Sequence, residues 1–206
     1  MSMGVWIILA IVAVVAFVGL GGIGLLIAIY NKLVQLKEQF KNAFAQIEVQ
    51  LKRRHDLIPN LVETAKGYMN HERETLEAVI AARNQAVSGL NNAAANPGDP
   101  RAMESLGAAE GALTGAMGRL MAVMEAYPDL KANDQMMKLQ EEITSTENKV
   151  AFARQAFNDG VTRYNIYKKS FPQVAVAPLF GHGQDAALLE FEDSAQIQEA
   201  PKVAFN

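Results

Sequence analysis

Residues 5–30 read VWIILAIVAVVAFVGLGGIGLLIAIY, an uncharged run of 26 residues that begins close to the N-terminus. At 1.5 Å per residue a helix of this length reaches ~39 Å, which exceeds the ~30 Å hydrocarbon core of a bilayer. Trp6 and Tyr30 lie near its two ends, where amphipathic rings favour the membrane interface. Residues 1–30 are therefore predicted to form an N-terminal segment and a single transmembrane helix.

Two other interpretations of this run fit less well. A cleaved signal peptide would begin with basic residues, but residues 1–4 have none, and the apolar run is about twice the usual length. Gly19, Gly21 and Gly24 match a GxGxxG pattern, but no strand precedes them, as a dinucleotide site would require. These glycines instead favour close contact between helices in lipid.

The flanking charges predict an orientation. No Lys or Arg precedes the run, whereas Lys32, Lys37 and Lys41 follow it within a dozen residues. Positively charged flanks stay on the cytoplasmic side of a membrane. We therefore expect the N-terminus to lie outside and the rest of the chain to lie in the cytoplasm.

Composition limits the function of the remaining chain. The whole chain has 20% charged residues, all outside the apolar run, so the remainder can form one soluble helical domain; a net charge of −3 argues against a dedicated nucleic-acid binder. Cysteine is absent, which excludes disulfides, thiolate metal sites and a cysteine nucleophile. The three histidines, His55, His71 and His182, are far apart and match no HExxH pattern. We predict neither a cofactor nor a metal.

Residues 31–171 predict four helices, because apolar residues recur there at steps of three and four. The first helix continues from the anchor, and Pro59 predicts a kink or a short break in it. Asn70 is a predicted N-cap of the second helix, and Asp99 with Pro100 opens the third. The fourth begins near Asn133 and shows the most regular pattern in the chain.

Short connections favour antiparallel neighbours, so the predicted fold is all-α: one transmembrane helix followed by a long up-down-up-down bundle. In this topology the first helix leaves the membrane and the fourth returns to it. Five lysines are then expected to form a basic, membrane-proximal end: Lys32, Lys37, Lys41, Lys168 and Lys169.

The basic run Lys52-Arg53-Arg54 has two interpretations. It could bind an anionic ligand, or it could form ion pairs between helices. If Asn31 lies opposite Phe171 in an antiparallel pair, three complementary pairs follow from that one register. They are Glu38 with Arg163, Glu48 with Arg154, and Arg54 with Glu147. We favour structural ion pairs, which would help to set the register of the two long helices.

The third helix carries glycines in its interior, where each costs roughly 0.5–1 kcal/mol relative to alanine. Three interpretations are open: tight packing within one bundle, a contact surface for another copy, or simple flexibility. The candidates for self-association are Gly107, Gly111, Gly115 and Gly118.

Residues 172–206 form a tail of different composition. Its first part contains prolines and glycines among apolar residues, and its remainder is acidic. We expect a strap that is partly ordered on the bundle and ends in disorder. A contact with the membrane or with another subunit is the alternative.

Several blocks of the chain resemble the LemA family. The main ones are Lys52–Thr64 with Gly67-Tyr68-Met69 and His71-Glu72, and Thr146–Asp159. Shorter ones are Tyr30–Val34, Ala126–Asn133 and Phe180-Gly181. The resemblance implies a membrane-anchored helical bundle without established enzymatic activity, in a bacterial inner membrane. Genes of this family often neighbour those of membrane proteases.

Three functions remain in order of preference. The first is a non-enzymatic scaffold that self-associates at the lipid bilayer and organises or shapes it. The second, which rests on the family resemblance alone, is an adaptor or regulator of a membrane protease or of an envelope-stress system, with other membrane proteins as partners. The third is an enzyme, for which the sequence contains no recognisable nucleophile–base pair or metal motif.

Overall fold

A computed structural model of the chain describes residues 3–69 and 71–191; most of these residues are helical and none of them forms a strand. The elements in chain order are α1 Met3–Lys66, α2 Arg73–Ala95, α3 Pro100–Met124, α4 Pro128–Lys131, α5 Asp134–Lys169, α6 Gln173–Val176 and a 3₁₀ turn, Ala177–Phe180. The predicted all-α fold, a long apolar helix followed by a helical bundle, is confirmed.

Helix α1 is continuous from the apolar run into the bundle. Its side chains are exposed from Leu9 to Ala28, and that of Ile29 is buried. Among the described residues, α1 is the one helix that is long and apolar enough to cross a membrane, with a mean hydropathy of 2.7 in its apolar window. Helix α1 continues through Pro59, so of the predicted kink or short break the break does not occur. Ile58 and Leu61 on either side of Pro59 are fully buried.

The helix ends follow the capping residues in the sequence. The Asp99 carboxylate accepts a hydrogen bond from the Ala102 amide at 2.9 Å, with Pro100 at the first helical position of α3. Asn133 accepts one from the Met136 amide at 3.0 Å and caps α5. Helix α2 begins after Glu72, and the predicted cap Asn70 lies outside the described residues.

The long helices pair in the predicted antiparallel manner. Helix α1 packs along α5, α2 packs on α3, and α1 also contacts α2. The Phe44 and Phe157 rings meet across the α1–α5 pair with centroids 5.5 Å apart. This contact lies within one residue of the register expected from Asn31 and Phe171.

The bundle contains two apolar clusters. One, which we call the proximal core, lies next to the apolar run; the other, the distal core, lies at the far end. The proximal core includes Ile29, Leu33, Phe40, Phe44, Leu51, Leu90, Leu106, Phe157, Ala177 and Leu189. The distal core includes Ile58, Leu61, Ala65, Leu76, Val79, Leu113, Leu120, Met136 and Ile143.

Candidate functional site

A buried ionic cluster separates the two cores. Arg54 and His55 extend from α1, Glu110 from α3 and Glu147 from α5. The Arg54 side chain is 4% exposed and that of Glu110 is 1% exposed. On each of the three helices the apolar residues on one side of these positions belong to the proximal core, and those on the other side to the distal core. The cluster is therefore a polar layer across the middle of the bundle.

Arg54 joins three helices through this layer. One terminal nitrogen lies 3.4 Å from Glu110 Oε2, and the other lies 3.1 Å from Glu147 Oε1 and donates to the Thr114 hydroxyl at 3.2 Å. A planar guanidinium suits this arrangement, since it presents several donors in one plane. The half-exposed Glu147 keeps one side of the layer near solvent, beside a small cavity of about 150 Å³ lined by Arg54 and Thr114.

His55 is the second residue of α1 that contacts the Glu110 carboxylate. Its Nε2 lies 2.8 Å from Glu110 Oε1, and its backbone carbonyl accepts a hydrogen bond from Arg83 of α2 at 3.1 Å. His55 Nδ1 and Arg54 Nε are buried and make no hydrogen bond to the described residues. A buried carboxylate is tolerated only when it is paired, so each partner depends on the other. This arrangement connects α1 to α2 and α3.

The segment after the 3₁₀ turn, residues 182–191, lies between α3 and α5, and we call it the strap. Asn165 donates to the Ala186 carbonyl at 2.8 Å and accepts from the Ala186 amide at 3.1 Å. Asn158 makes the same two bonds to Leu189, at 3.1 Å and 2.9 Å. The two asparagines are seven residues apart, about 10.5 Å along a helix, and three residues of extended chain span a similar distance of about 10 Å.

The strap inserts one apolar side chain into the bundle interior. Leu189 is fully buried in the proximal core, and the Ala187 amide donates to the Gly98 carbonyl at 2.9 Å. Gly98 has a φ of +88°, which favours glycine and turns this carbonyl towards the strap. The strap thus fills the groove between α3 and α5. The predicted disorder at the end of the tail concerns residues 192–206, which lie outside the described residues.

Polar groups hold the first residues of the strap. The Tyr164 hydroxyl lies 2.8 Å from His182 Nδ1, and Lys168 lies 2.7 Å from Asp185. Hydrogen bonds from Lys168 and Lys169 hold the pKa of Asp185 below its ordinary value. Burial, with the positive charges of Lys37 and Lys168, lowers the pKa of His182.

Comparison with known proteins identifies the family. Residues 43–205 match the family model described as the LemA family. The chain belongs to the LemA family.

Curated relatives of this LemA-family chain include magnetosome proteins. It is 25% identical over 209 residues to magnetosome protein MamQ 2 of Paramagnetospirillum magneticum, which covers 94% of this chain and 72% of the relative. It is 25% identical over 167 residues to magnetosome protein MamQ of Magnetospirillum gryphiswaldense, covering 74% and 61%. It is 26% identical over 135 residues to protein LemA of Metamycoplasma hominis, covering 66% and 57%. Family and relatives indicate a membrane-associated protein.

The blocks that resemble the LemA family also build the ionic cluster. Arg54 and His55 lie in the block Lys52–Thr64, and Glu147 lies in the block Thr146–Asp159. Glu110 was not identified as a partner by sequence reasoning, although its position offered a signal. It is a carboxylate in the apolar seam of a predicted helix, and such a residue needs a buried cation nearby.

The structure shows where the residues of the three predicted ion pairs lie. Arg54 and Glu147 lie 3.1 Å apart, as described above. The structure gives Glu38 and Glu48 other partners: Glu38 pairs with Lys41 at 3.2 Å, and Glu48 pairs with Lys52. Both are exposed pairs within one helix, which form without aligning two elements.

The arginines of the other two predicted pairs, Arg163 and Arg154, also have contacts elsewhere. Arg163 donates to the Asp159 carbonyl at 3.2 Å, and the Arg154 guanidinium lies over the Phe191 ring, 4.4 Å from its centroid. The register that motivated these pairs is nevertheless close to that of the structure, because Arg54–Glu147 and Phe44–Phe157 share it. A charged residue that faces an opposite charge on the neighbouring helix can therefore pair instead with a residue of its own helix.

The predicted basic end is partly neutralised, because two carboxylates, Glu38 and Asp185, pair with three of its five lysines. Lys168 is buried and, with Lys169, pairs with Asp185, while Lys41 pairs with Glu38. Lys32 donates to Gln35 at 3.1 Å. Lys37 lies on the same side, close enough for its charge to act on His182. Clustered lysines are thus present at this end, but three of the five are in ion pairs.

The glycines of α3 do not form one uniform surface. Gly107 is buried, and a Cβ there would overlap the Glu190 carbonyl oxygen of the strap. Gly111 is half-buried. Gly115 and Gly118 are exposed, with nothing within 4 Å of a Cβ placed on either. The strap therefore occupies the Gly107 end of this surface, and the Gly115 end is open.

The described residues, 3–69 and 71–191, contain no group of three or more His, Asp or Glu residues placed to hold a metal ion.

Asn158 and Asn165 were missed by sequence reasoning. The sequence feature that could have identified them is their spacing of seven residues, which places both on one face of α5, with a non-helical tail following that helix.

Proposed function

We propose that this LemA-family chain is a non-enzymatic, membrane-anchored scaffold that self-associates at the membrane and organises or shapes it. Membership of the family and similarity to the MamQ proteins support a role at a membrane. The continuity of α1 supports a scaffold, because one helix carries both the apolar run and the first wall of the bundle. Forces on the bundle would reach the bilayer through a rigid connection.

Apolar residues exposed on the α1–α5 pair are the observation that carries self-association. Phe152 is 75% exposed and Ile166 is 61% exposed, both on α5. In the register of Arg54 and Glu147, Phe152 lies level with Val49 of α1, and Ile166 lies level with Val34, both also exposed. Two apolar levels on one pair of helices favour contact with another protein surface.

A second copy of the chain is the proposed partner for this surface. Cyclic and helical assemblies form when one surface meets a different surface of the next copy. The open end of α3 offers such a surface, because Gly115 and Gly118 project no side chain and allow a close approach. Protruding Phe152 and Ile166 would then meet a smooth helix.

The location in the cell is part of the same proposal. We place the apolar run in a bacterial inner membrane, with the N-terminus outside and the bundle in the cytoplasm. The lysine asymmetry around the run supports this orientation. A reporter that functions only in the cytoplasm should be active when it is fused after Asn206. Cleavage of the bundle by a protease added outside intact cells would contradict this orientation.

The size of the detergent-extracted particle tests self-association. The double variant Val49→Glu, Phe152→Glu should shrink the particle while circular dichroism stays helical. The control, Gln85→Glu with Ser88→Glu, adds the same charge to exposed positions of α2 and should leave the size unchanged. If the first variant stays folded and its particle keeps the wild-type size, the α1–α5 surface is not the contact.

A further inference from the structure

The segment between α5 and the strap has an unusual composition. Residues 171–181 read FPQVAVAPLFG and include no charged side chain. They form α6 and the 3₁₀ turn. On the water-exposed surface of a bundle, short connections are commonly polar. This connection is apolar, so its surroundings need an explanation.

The segment packs against α1 at the end of the apolar run. The Phe180 ring meets the Tyr30 ring edge-on, with centroids 5.3 Å apart. Ala177 is buried in the proximal core together with Ile29. Because the uncharged run ends at Tyr30, the segment lies level with the point where α1 would leave the hydrocarbon.

The side chains that the segment does not bury are apolar. Phe171 is 87% exposed and Leu179 is 81% exposed, and Val174 is exposed between them in sequence. Pro178 is exposed as well. These residues leave a contiguous stretch of chain with an apolar surface at the same end of the bundle.

The segment carries no charge of its own, but positive charge remains beside it. The nearest lysines in sequence, Lys168 and Lys169, share one carboxylate, that of Asp185, so one positive charge is left over. Lysines at the edge of an apolar surface suit the headgroup region of a membrane. The segment presents aromatic and aliphatic groups, which favour the boundary between headgroups and acyl chains.

We propose that residues 171–180 form a membrane foot, in which Phe171, Val174 and Leu179 insert into the outermost layer of the bilayer. The occupant of this surface is lipid, because the surface continues directly from the apolar run of α1 through the Tyr30–Phe180 contact. The run and the foot together hold the bundle at a fixed tilt against the membrane. This inference is independent of self-association and holds for a single copy.

Tryptophan fluorescence of the full-length chain in vesicles tests the foot. The chain has one tryptophan, Trp6, so a Trp6→Phe background leaves a single introduced reporter. The reporters are Leu179→Trp in the foot and Phe152→Trp on α5, both at strongly exposed positions. Residue 152 lies about 25 Å along α5 from Lys169, well beyond the lipid surface. Dilute protein in phosphatidylcholine brominated near the top of the acyl chain supplies the quencher.

The expected result is that bromolipid quenches Leu179→Trp strongly and shifts its emission to the blue, while Phe152→Trp is not quenched. Replacing part of the phosphatidylcholine with anionic phosphatidylglycerol should not reduce the quenching, because the lysines at this end keep a net positive charge. Equal quenching of the two reporters would overturn the foot. A blue shift at Leu179→Trp without quenching would also overturn it, since protein would then cover the surface. Phe171→Trp repeats the test should Leu179→Trp fail to fold.

Discussion

His55 Nε2 lies 2.8 Å from Glu110 Oε1, with both side chains buried, and so connects α1 to α3 between the two cores. Glu110 also faces Arg54, which reaches Glu147 of α5. Ionic groups in such a layer lose hydration on folding, and their ion pairs and hydrogen bonds offset that cost only if every partner is present. The layer therefore fixes which levels of the three helices meet, more than it adds to stability.

Removing the buried carboxylate should be costly. Glu110→Gln leaves Arg54 with Glu147 as its remaining carboxylate partner, and breaking a buried pair costs about 3–5 kcal/mol. Denaturation of the detergent-solubilised protein measures this loss. Glu104→Gln, on the exposed face of the same helix, should change stability by less than about 0.5 kcal/mol. Equal effects of the two substitutions would show that the layer is not an ionic constraint.

Two glycines of α3 should respond in opposite ways to the same change. Gly107→Ala places a Cβ against the Glu190 carbonyl and should destabilise the bundle. Gly115→Ala meets nothing within 4 Å and should stabilise the helix by about 0.5–1 kcal/mol. Melting temperatures of the two variants give the signs directly. The strap assignment is wrong if Gly107→Ala is also stabilising.

Loss of an asparagine side chain that hydrogen-bonds to the strap should release the strap from α5. Asn158→Ala removes two hydrogen bonds to Leu189, each worth roughly 1 kcal/mol, and leaves buried backbone groups unpaired. Limited proteolysis should then cut between residues 182 and 191 faster than in the wild type. Asn148→Ala, at an exposed position of α5, is the matched control. An unchanged cleavage rate in Asn158→Ala would contradict the claim that Asn158 holds the strap.

Acidification should weaken the attachment of the strap through His182. Its pKa is lowered in the folded chain, so its contribution to stability is complete above the ordinary histidine value of about 6.5 and declines as the pH falls below it. Between about pH 7.5 and 5.5, the melting temperature of the wild type should fall more than that of His182→Gln. Parallel declines in the two proteins would exclude this contribution.

The helices were predictable because their signals are local. The capping residues Asp99 and Asn133 lie at the helix starts where the sequence placed them, and the α1–α5 register follows from two long apolar seams. The strap was not predictable in detail, because its main-chain bonds to Asn158 and Asn165 depend on a groove that exists only after the helices pack. Glu38 and Glu48 pair with Lys41 and Lys52, which lie three and four residues further along the same helix, and such pairs form without the packing of a second helix.

Self-association of the anchored bundle is the central claim, and the mass of the intact particle tests it most directly. Native mass spectrometry of the wild-type chain released from mild detergent should give masses at multiples of the 22.4 kDa chain. These multiples should be present without any other protein. A single mass of one chain at every concentration would contradict the account.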